Sequence, residues 1–293
     1  MKHIVIFACI LAAALAASAA DRRIAFQRGD TDYIANLDAS LIRKLGDGIF
    51  PTMSPNGKSV AFTLVNNDDG RYIRRIAVAD IASGSTRTFA DVPSDNAYYA
   101  GWSPDGDRLA FTLYADRVWN LALINSDGSG FKVIKKGEPD KVTLFSPCWA
   151  ADGKSLFCHD MTEIYQITVD GSVIGQWNIR KIVPNGAMSG DGRIDVSPDG
   201  HHLLLSVDMD EEYNRKDWDG PVPALWSLDL WTEAAVRITP KSLFAWDGCW
   251  LDNSNVLFVS QPAGAKHASI YRTDGKAPKP IIEDAGRPSV SKQ

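Results

Sequence analysis

The stretch Ala100-Gly-Trp-Ser-Pro-Asp-Gly-Asp-Arg-Leu-Ala-Phe111 decides the fold, because the chain repeats it. Related segments are Pro51-Thr-Met-Ser-Pro-Asn-Gly-Lys-Ser-Val-Ala-Phe62, Pro147-Cys-Trp-Ala-Ala-Asp-Gly-Lys-Ser-Leu-Phe-Cys158, Ile194-Asp-Val-Ser-Pro-Asp-Gly-His-His-Leu-Leu-Leu205 and Gly248-Cys-Trp-Leu-Asp-Asn-Ser-Asn-Val-Leu-Phe258. Each reads as a strand, a tight turn and a second strand. Asp-Gly or Asn-Gly supplies the turn, since Gly accepts positive φ without steric cost. The preceding Pro fixes its own φ and donates nothing to the strand ladder. Equivalent positions Thr52, Gly101, Cys148, Asp195 and Cys249 lie 47 to 54 residues apart. A further strand and turn follow each copy, as in Trp119-Asn-Leu-Ala-Leu-Ile-Asn-Ser-Asp-Gly-Ser-Gly-Phe-Lys-Val-Ile134. Four strands at this period mark a β-propeller blade.

The two ends complete one another. Arg23-Ile-Ala-Phe26 matches the second-strand motif, and Asp32–Asp38 and Leu41–Leu45 serve as third and fourth strands, so this unit lacks only its first strand. Gly286-Arg-Pro-Ser-Val-Ser291 aligns with the first strand that begins near Pro51. The expectation is an all-β, six-bladed β-propeller of four-stranded antiparallel blades, closed by N- and C-terminal strands sharing one blade. Such closure removes the free sheet edges on which other chains could pair.

Composition fits an ordinary globular chain: 293 residues, 45% hydrophobic and 23% charged. With 31 Lys and Arg against 36 Asp and Glu, and no basic block, there is no electrostatic footprint for nucleic acid. Lys2 and His3, the apolar run Ile4–Ala17 and Ser18-Ala19-Ala20 read as a secretory signal peptide over residues 1–20. Residues 21–293 then form a single propeller domain, periplasmic or secreted, monomeric, with no stable membrane insertion, because no later stretch has the length of a span. Cys148 and Cys158 either face each other across the turn Ala151–Lys154, leaving Cys249 odd, or all three thiols are buried as small apolar groups.

The motif Trp102-Ser-Pro-Asp-Gly-Asp-Arg-Leu-Ala-Phe111, with an Asn-Ser-Asp-Gly-Ser turn after the third strand, resembles the WD40-like repeat of TolB-type six-bladed propellers. The resemblance covers essentially the whole mature chain and implies a propeller that binds a protein partner. It departs from TolB in having no counterpart of the extra N-terminal α/β domain. Similar repeats occur in prolyl-oligopeptidase-type enzymes, but no Gly-x-Ser-x-Gly elbow is present here. They also occur in oligogalacturonide lyases, which hold manganese with several histidines. The mature histidines are His159, His201, His202 and His267; the first and last follow second strands two blades apart, and the middle pair sits in a turn of the opposite face. We therefore expect no cofactor, no metal site and no catalytic residue.

Trp102, Trp149 and Trp250 share one repeat position and read as inter-blade core, because both faces of a blade pack on neighbours. Asp105, Asp152 and Asp199 read as turn-capping residues. Binding residues gather where a rigid scaffold carries long loops. The longest runs from Asp208 to Ala224, is acidic, and holds Tyr213 and Trp218. Connections into the innermost strands bring Tyr98, Tyr99, Phe145, Arg193, Trp246, Asp247 and Arg287 to the same face. With Tyr213 and Trp218 these have the composition of a partner-binding surface around a channel mouth. The expected function is that of an exported, non-catalytic binding or scaffolding propeller engaging a protein partner there. The alternatives are a glycan-binding module or a metal-dependent glycan-active enzyme.

Overall fold

The computed structural model describes residues 22–68, 70–89, 91–138, 144–273 and 277–292; the expected signal peptide lies outside them. Six antiparallel sheets form the blades of a propeller. Blade 1 draws on both ends of the chain: Gly286–Val290 is innermost, and Arg23–Arg28, Thr31–Asn36 and Arg43–Asp47 follow outward. Ile24 lies opposite Val290 and Ala25 opposite Ser289, so the shared blade read from the sequence is present.

Blade 2 contains Ile49–Met53, Ser59–Asp68, Arg71–Asp80 and Thr86–Thr88. Blade 3 contains Ala97–Trp102, Arg108–Ala115, Val118–Asn125 and Lys132–Lys135. Blade 4 contains Phe145–Trp149, Ser155–His159, Glu163–Thr168 and Val173–Asn178. Blade 6 contains Ala245–Trp250, Val256–Ser260, Ser269–Arg272 and Lys279–Ile282. Blade 5 departs from four strands. Its inner edge is split into Gly186–Ala187 and Ile194–Val196, both paired with His202–Met209, and Val222–Asp229 and Ala235–Arg237 lie outside. A single helical turn, Ile179–Ile182, leads into it, capped by the Asn178 side chain on the Lys181 amide.

Burial falls from the second strand of a blade to its rim. Every residue of Ser155–His159 and Val256–Ser260 is buried, whereas every residue of Thr86–Thr88 is exposed. A strand covered on both faces loses the apolar-polar alternation of a one-sided sheet, which is why the second strands read as continuous apolar runs. Phe26, Phe62, Phe111 and Phe258 occupy one repeat position there and are buried. The core is the space between blades: Ala61 and Ile76 of blade 2 pack with Ala97, Leu109 and Phe111 of blade 3 in one cluster.

Two of the three recurrent tryptophans, Trp102 and Trp149, staple neighbouring blades together, whereas the buried Trp250 Nε1 has no hydrogen-bond partner. Trp102 Nε1 donates to the Thr52 carbonyl and Trp149 Nε1 to the Gly101 carbonyl, each at 3.0 Å and each on the innermost strand of the preceding blade. The turn aspartates cap their own turns, Asp105 Oδ1 accepting from the Ser103 hydroxyl and the Asp107 amide, and Asp199 Oδ1 from Ser197 and His201. All three described cysteines are free thiols. Register decides this, because Cys148 lies opposite Phe157 and not Cys158.

Candidate binding site at the channel mouth

The innermost strands enclose a central cavity of about 240 Å³. Its two ends differ in chemistry. The turn end is lined by Pro55, Pro104 and Pro198 and the start of the strand-one turns. There Lys292 Nζ reaches Asp195 Oδ1 at 2.9 Å and the Val196 carbonyl at 3.1 Å, so the last described residue lies across that end. Asp195 Oδ2 also accepts from the Trp250 amide at 2.7 Å.

The opposite end is shaped by a backbone irregularity repeated around the ring. In blades 1, 2, 3, 4 and 6 the pairing of innermost and second strands slips by one residue, so two residues oppose one. The first residue of each bulge has left-handed φ: Arg287 (53°), Phe50 (57°), Tyr99 (64°), Ser146 (50°) and Asp247 (51°). None is Gly, and L-residues in this region carry a steric cost of roughly 1–2 kcal/mol. Bulges re-aim side chains, and residues held in such conformations cluster at ligand sites because surrounding structure must enforce them. Blade 5, with its split inner edge, places Arg193 at the equivalent repeat position.

Each blade thus contributes one side chain at this position, and contacts link most of them around the ring. Phe50 and Tyr99 have ring centroids 5.1 Å apart. The Arg287 guanidinium lies 4.7 Å over the Phe50 ring, and its two terminal nitrogens reach Asp247 Oδ1 at 2.8 Å and Asp191 Oδ2 at 3.0 Å. Arg193 donates to the Pro288 carbonyl. Burial holds the Asp247 carboxyl above its ordinary range, opposed by Arg287 and Arg193, and burial likewise raises the Tyr99 phenol. The Cys148 and Cys249 thiols along the channel wall are pushed up to about 12 by burial. They stay protonated at neutral pH and are poor nucleophiles.

Four of the nine residues read from the sequence stand at the mouth: Tyr99, Arg193, Asp247 and Arg287. Tyr98, Phe145 and Trp246 each precede a bulge residue and point away from the channel. Tyr98 packs edge-on to Trp119 beneath the Arg74 guanidinium, 4.5 Å away. Phe145 packs on His159. Trp246 meets Trp218 at 5.8 Å on the outer rim. Tyr213 and Trp218 belong to a folded loop: the Tyr213 hydroxyl donates to the Gly220 carbonyl at 2.9 Å, and both rings stand edge-on to Phe244. Arg215 lies 4.6 Å over Phe244 and donates to the Gln261 carbonyl, pinning the loop to blade 6. Neither Phe50 nor Ser146 is among the nine binding residues read from the sequence. Their positions two residues before Thr52 and Cys148 could have marked them, had the bulge been legible.

The histidines do not converge. His159 is buried, its Nε2 2.8 Å from the Gly192 carbonyl and its Nδ1 accepting from the Met161 amide, and burial lowers it to about 4. His267 is exposed, 3.3 Å from Asp284. Among the described residues no three His, Cys, Asp or Glu side chains gather as metal ligands, and no helix is long and apolar enough to cross a membrane.

No protein-family profile matches the chain. Among curated proteins it is 29% identical over 115 residues to dipeptidyl-peptidase 5 of Porphyromonas gingivalis, a match covering 37% of this chain and 17% of that protein. Among solved structures it is similar to TolB from Acinetobacter baumannii, with a TM-score of 0.66 and 15% identity over 93% of this chain and 67% of that one. A putative TolB from Agrobacterium tumefaciens gives a TM-score of 0.59 and 17% identity, covering 89% and 88%. At these identities the likeness establishes the six-bladed propeller fold.

Proposed function

We propose that this chain is an exported, non-catalytic binding propeller that seats an extended protein segment at the channel mouth. The observation that carries this reading is the ring of six equivalent residues around the central cavity, aromatic, cationic, anionic and hydroxylic, five of them held in left-handed backbone at bulges. Rigid, preorganised aromatic and Arg anchors are the residues that dominate protein-binding hot spots. Likeness of fold to TolB supports a binding role, and the partial match to a dipeptidyl-peptidase favours a peptide as the class of ligand. Residues 1–20 act as the cleaved leader, 21–293 as one domain, and Trp218, Trp246 and Tyr213 as the outer rim of the surface.

The test is peptide selection from a random display library against the mature domain, followed by affinity measurement on Tyr99→Ala and on a Tyr99→Ala/Trp246→Ala/Trp218→Ala variant. At least tenfold weaker binding is expected, measured at a temperature well below the lowered melting point that loss of these packed rings brings. Selected peptides that bind both variants as tightly as wild type would remove the mouth from the reading, and stoichiometric metal in the purified protein would turn attention to the glycan-active alternative.

A further inference from the structure

Beside the mouth, on the blade 5 side, lies a second cavity of about 200 Å³. Asp191, Asp208 and Asp247 line it, with the Trp218 and Trp246 indoles and Ser206. The charges divide unevenly. Asp191 and Asp247 are both held by Arg287 from the channel side. Asp208 has no salt-bridge partner among the described residues; burial and the Asp191 charge raise its carboxyl, opposed by a hydrogen bond from Ser189. Ser206 is only 8% exposed, and its hydroxyl has no hydrogen-bond partner. A buried hydroxyl left unpaired costs about 1–3 kcal/mol, which a rotation of the Ser206 side chain toward a polar group in the cavity would recover.

One carboxylate without a cation, one unpaired hydroxyl and two indoles suit a single kind of visitor. A monovalent cation with a flat face gains from the indoles, which attract cations through the ring quadrupole, and from the carboxylate. Guanidinium fits better than ammonium because its planar fork stacks while presenting several N–H donors in fixed directions. A hard divalent cation wants six or more oxygen ligands, and indole walls supply none.

We infer that this side cavity is a socket for one guanidinium group, taken from an arginine of the segment seated at the mouth. Asp247 belongs to both sites, so an arginine of a bound segment can turn from channel to socket without leaving the surface. This inference rests on the proposed binding role for the source of the group; the socket itself is testable alone.

The probe is N-acetylarginine amide, titrated into 15N-labelled mature domain while the indole N–H signals are followed, those of Trp218 and Trp246 being assigned with W218F and W246F. The expected result is saturable shifts of these two signals, absent with the neutral isostere N-acetylcitrulline amide and weakened at least tenfold by Asp208→Asn. That substitution keeps shape, and unmoved Trp102 and Trp149 signals report an intact fold; Trp218→Leu, which removes one wall, should weaken the probe independently. Equal shifts with the citrulline amide, or arginine shifts indifferent to both substitutions, would overturn the socket. Selected peptides that bind the mouth while the probe fails would sink the socket and leave the binding role standing. Probe binding with no peptide affinity would keep the socket, as a site for free guanidinium compounds, and remove the binding role.

Discussion

Asp199 and Asp247 are the same residue type at opposite ends of the channel, and their carboxyls move in opposite directions. Asp199, at the turn end, is held below its ordinary range by hydrogen bonds from Ser197 and the His201 amide. Asp247, at the mouth, is raised by burial against the attraction of Arg287 and Arg193. Similar chemistry recurs at the turn end in Asn56, Asp105 and Asp152, each accepting from an amide two residues on. At the mouth the six equivalent positions carry five different side chains, with Arg the one that occurs twice. The turn end is where the chain repeats itself to fold; the mouth is where it spends conformational strain and burial on features that folding does not need.

The largest effect should come from removing the innermost strand of blade 1. Deleting residues 286–293 takes away the innermost strand of blade 1, frees the inner edge of Arg23–Arg28 and exposes Ile24 and Phe26. We expect loss of cooperative folding or a fall in melting temperature of more than about 10 °C. A thermal melt unchanged by the deletion would refute blade sharing.

Next, the mouth end should give stability an unusual dependence on pH. Asp32 is fully buried with neither oxygen hydrogen-bonded, and burial raises it to about 8. The folded chain therefore holds a proton that the unfolded chain releases near pH 4. Stability present below that pH is lost as pH rises towards 8, at up to roughly 1.4 kcal/mol per pH unit. His159 works in the other sense: lowered to about 4, it makes the unfolded chain bind more protons between pH 4 and 6.5, so stability rises across that window. Urea midpoints against pH should show partial cancellation below 6.5 and a net decline above it. In Asp32→Asn the decline should vanish and the His159 limb remain; identical profiles in the two proteins would contradict this account.

Arg287→Ala should cost about 3 kcal/mol, because it leaves the buried Asp247 carboxylate without its nearest cation. Combining it with Asp247→Asn should recover part of that stability, measured by chemical denaturation, and none of the peptide affinity. If the double variant is no more stable than the single one, the cost lies in lost packing on Phe50.

The smallest effects test the backbone at the two ends. Gly106 has φ of 78°, with the nearest atom to an added Cβ, Pro55 Cδ, at 3.8 Å, so Gly106→Ala meets no clash and should cost about 1–2 kcal/mol through φ alone. Ser146→Gly relieves the same kind of strain at the mouth and should be neutral or stabilising by up to about 1 kcal/mol. Equal destabilisation in both would mean that the bulge conformation is not strained.

Blade number, the shared first blade, the burial of the recurrent tryptophans between blades and the turn-capping aspartates were all legible in the sequence. Each depends on residues adjacent in the chain or on a fixed repeat offset. Turn geometry is set within five residues by Pro, Asp and Gly, and a strand buried on both faces writes itself as an apolar run. The mouth was legible only as a neighbourhood. Which of Tyr98 and Tyr99 faces the channel depends on a one-residue bulge that no local Gly announces, and a slip of one residue exchanges the faces of a strand. Arg287 meets Asp191 across a separation of 96 residues, and Asp208 is left without a cation because Arg287 is drawn elsewhere. Those pairings exist only once the ring has closed, since it is closure that fixes which blades stand beside one another.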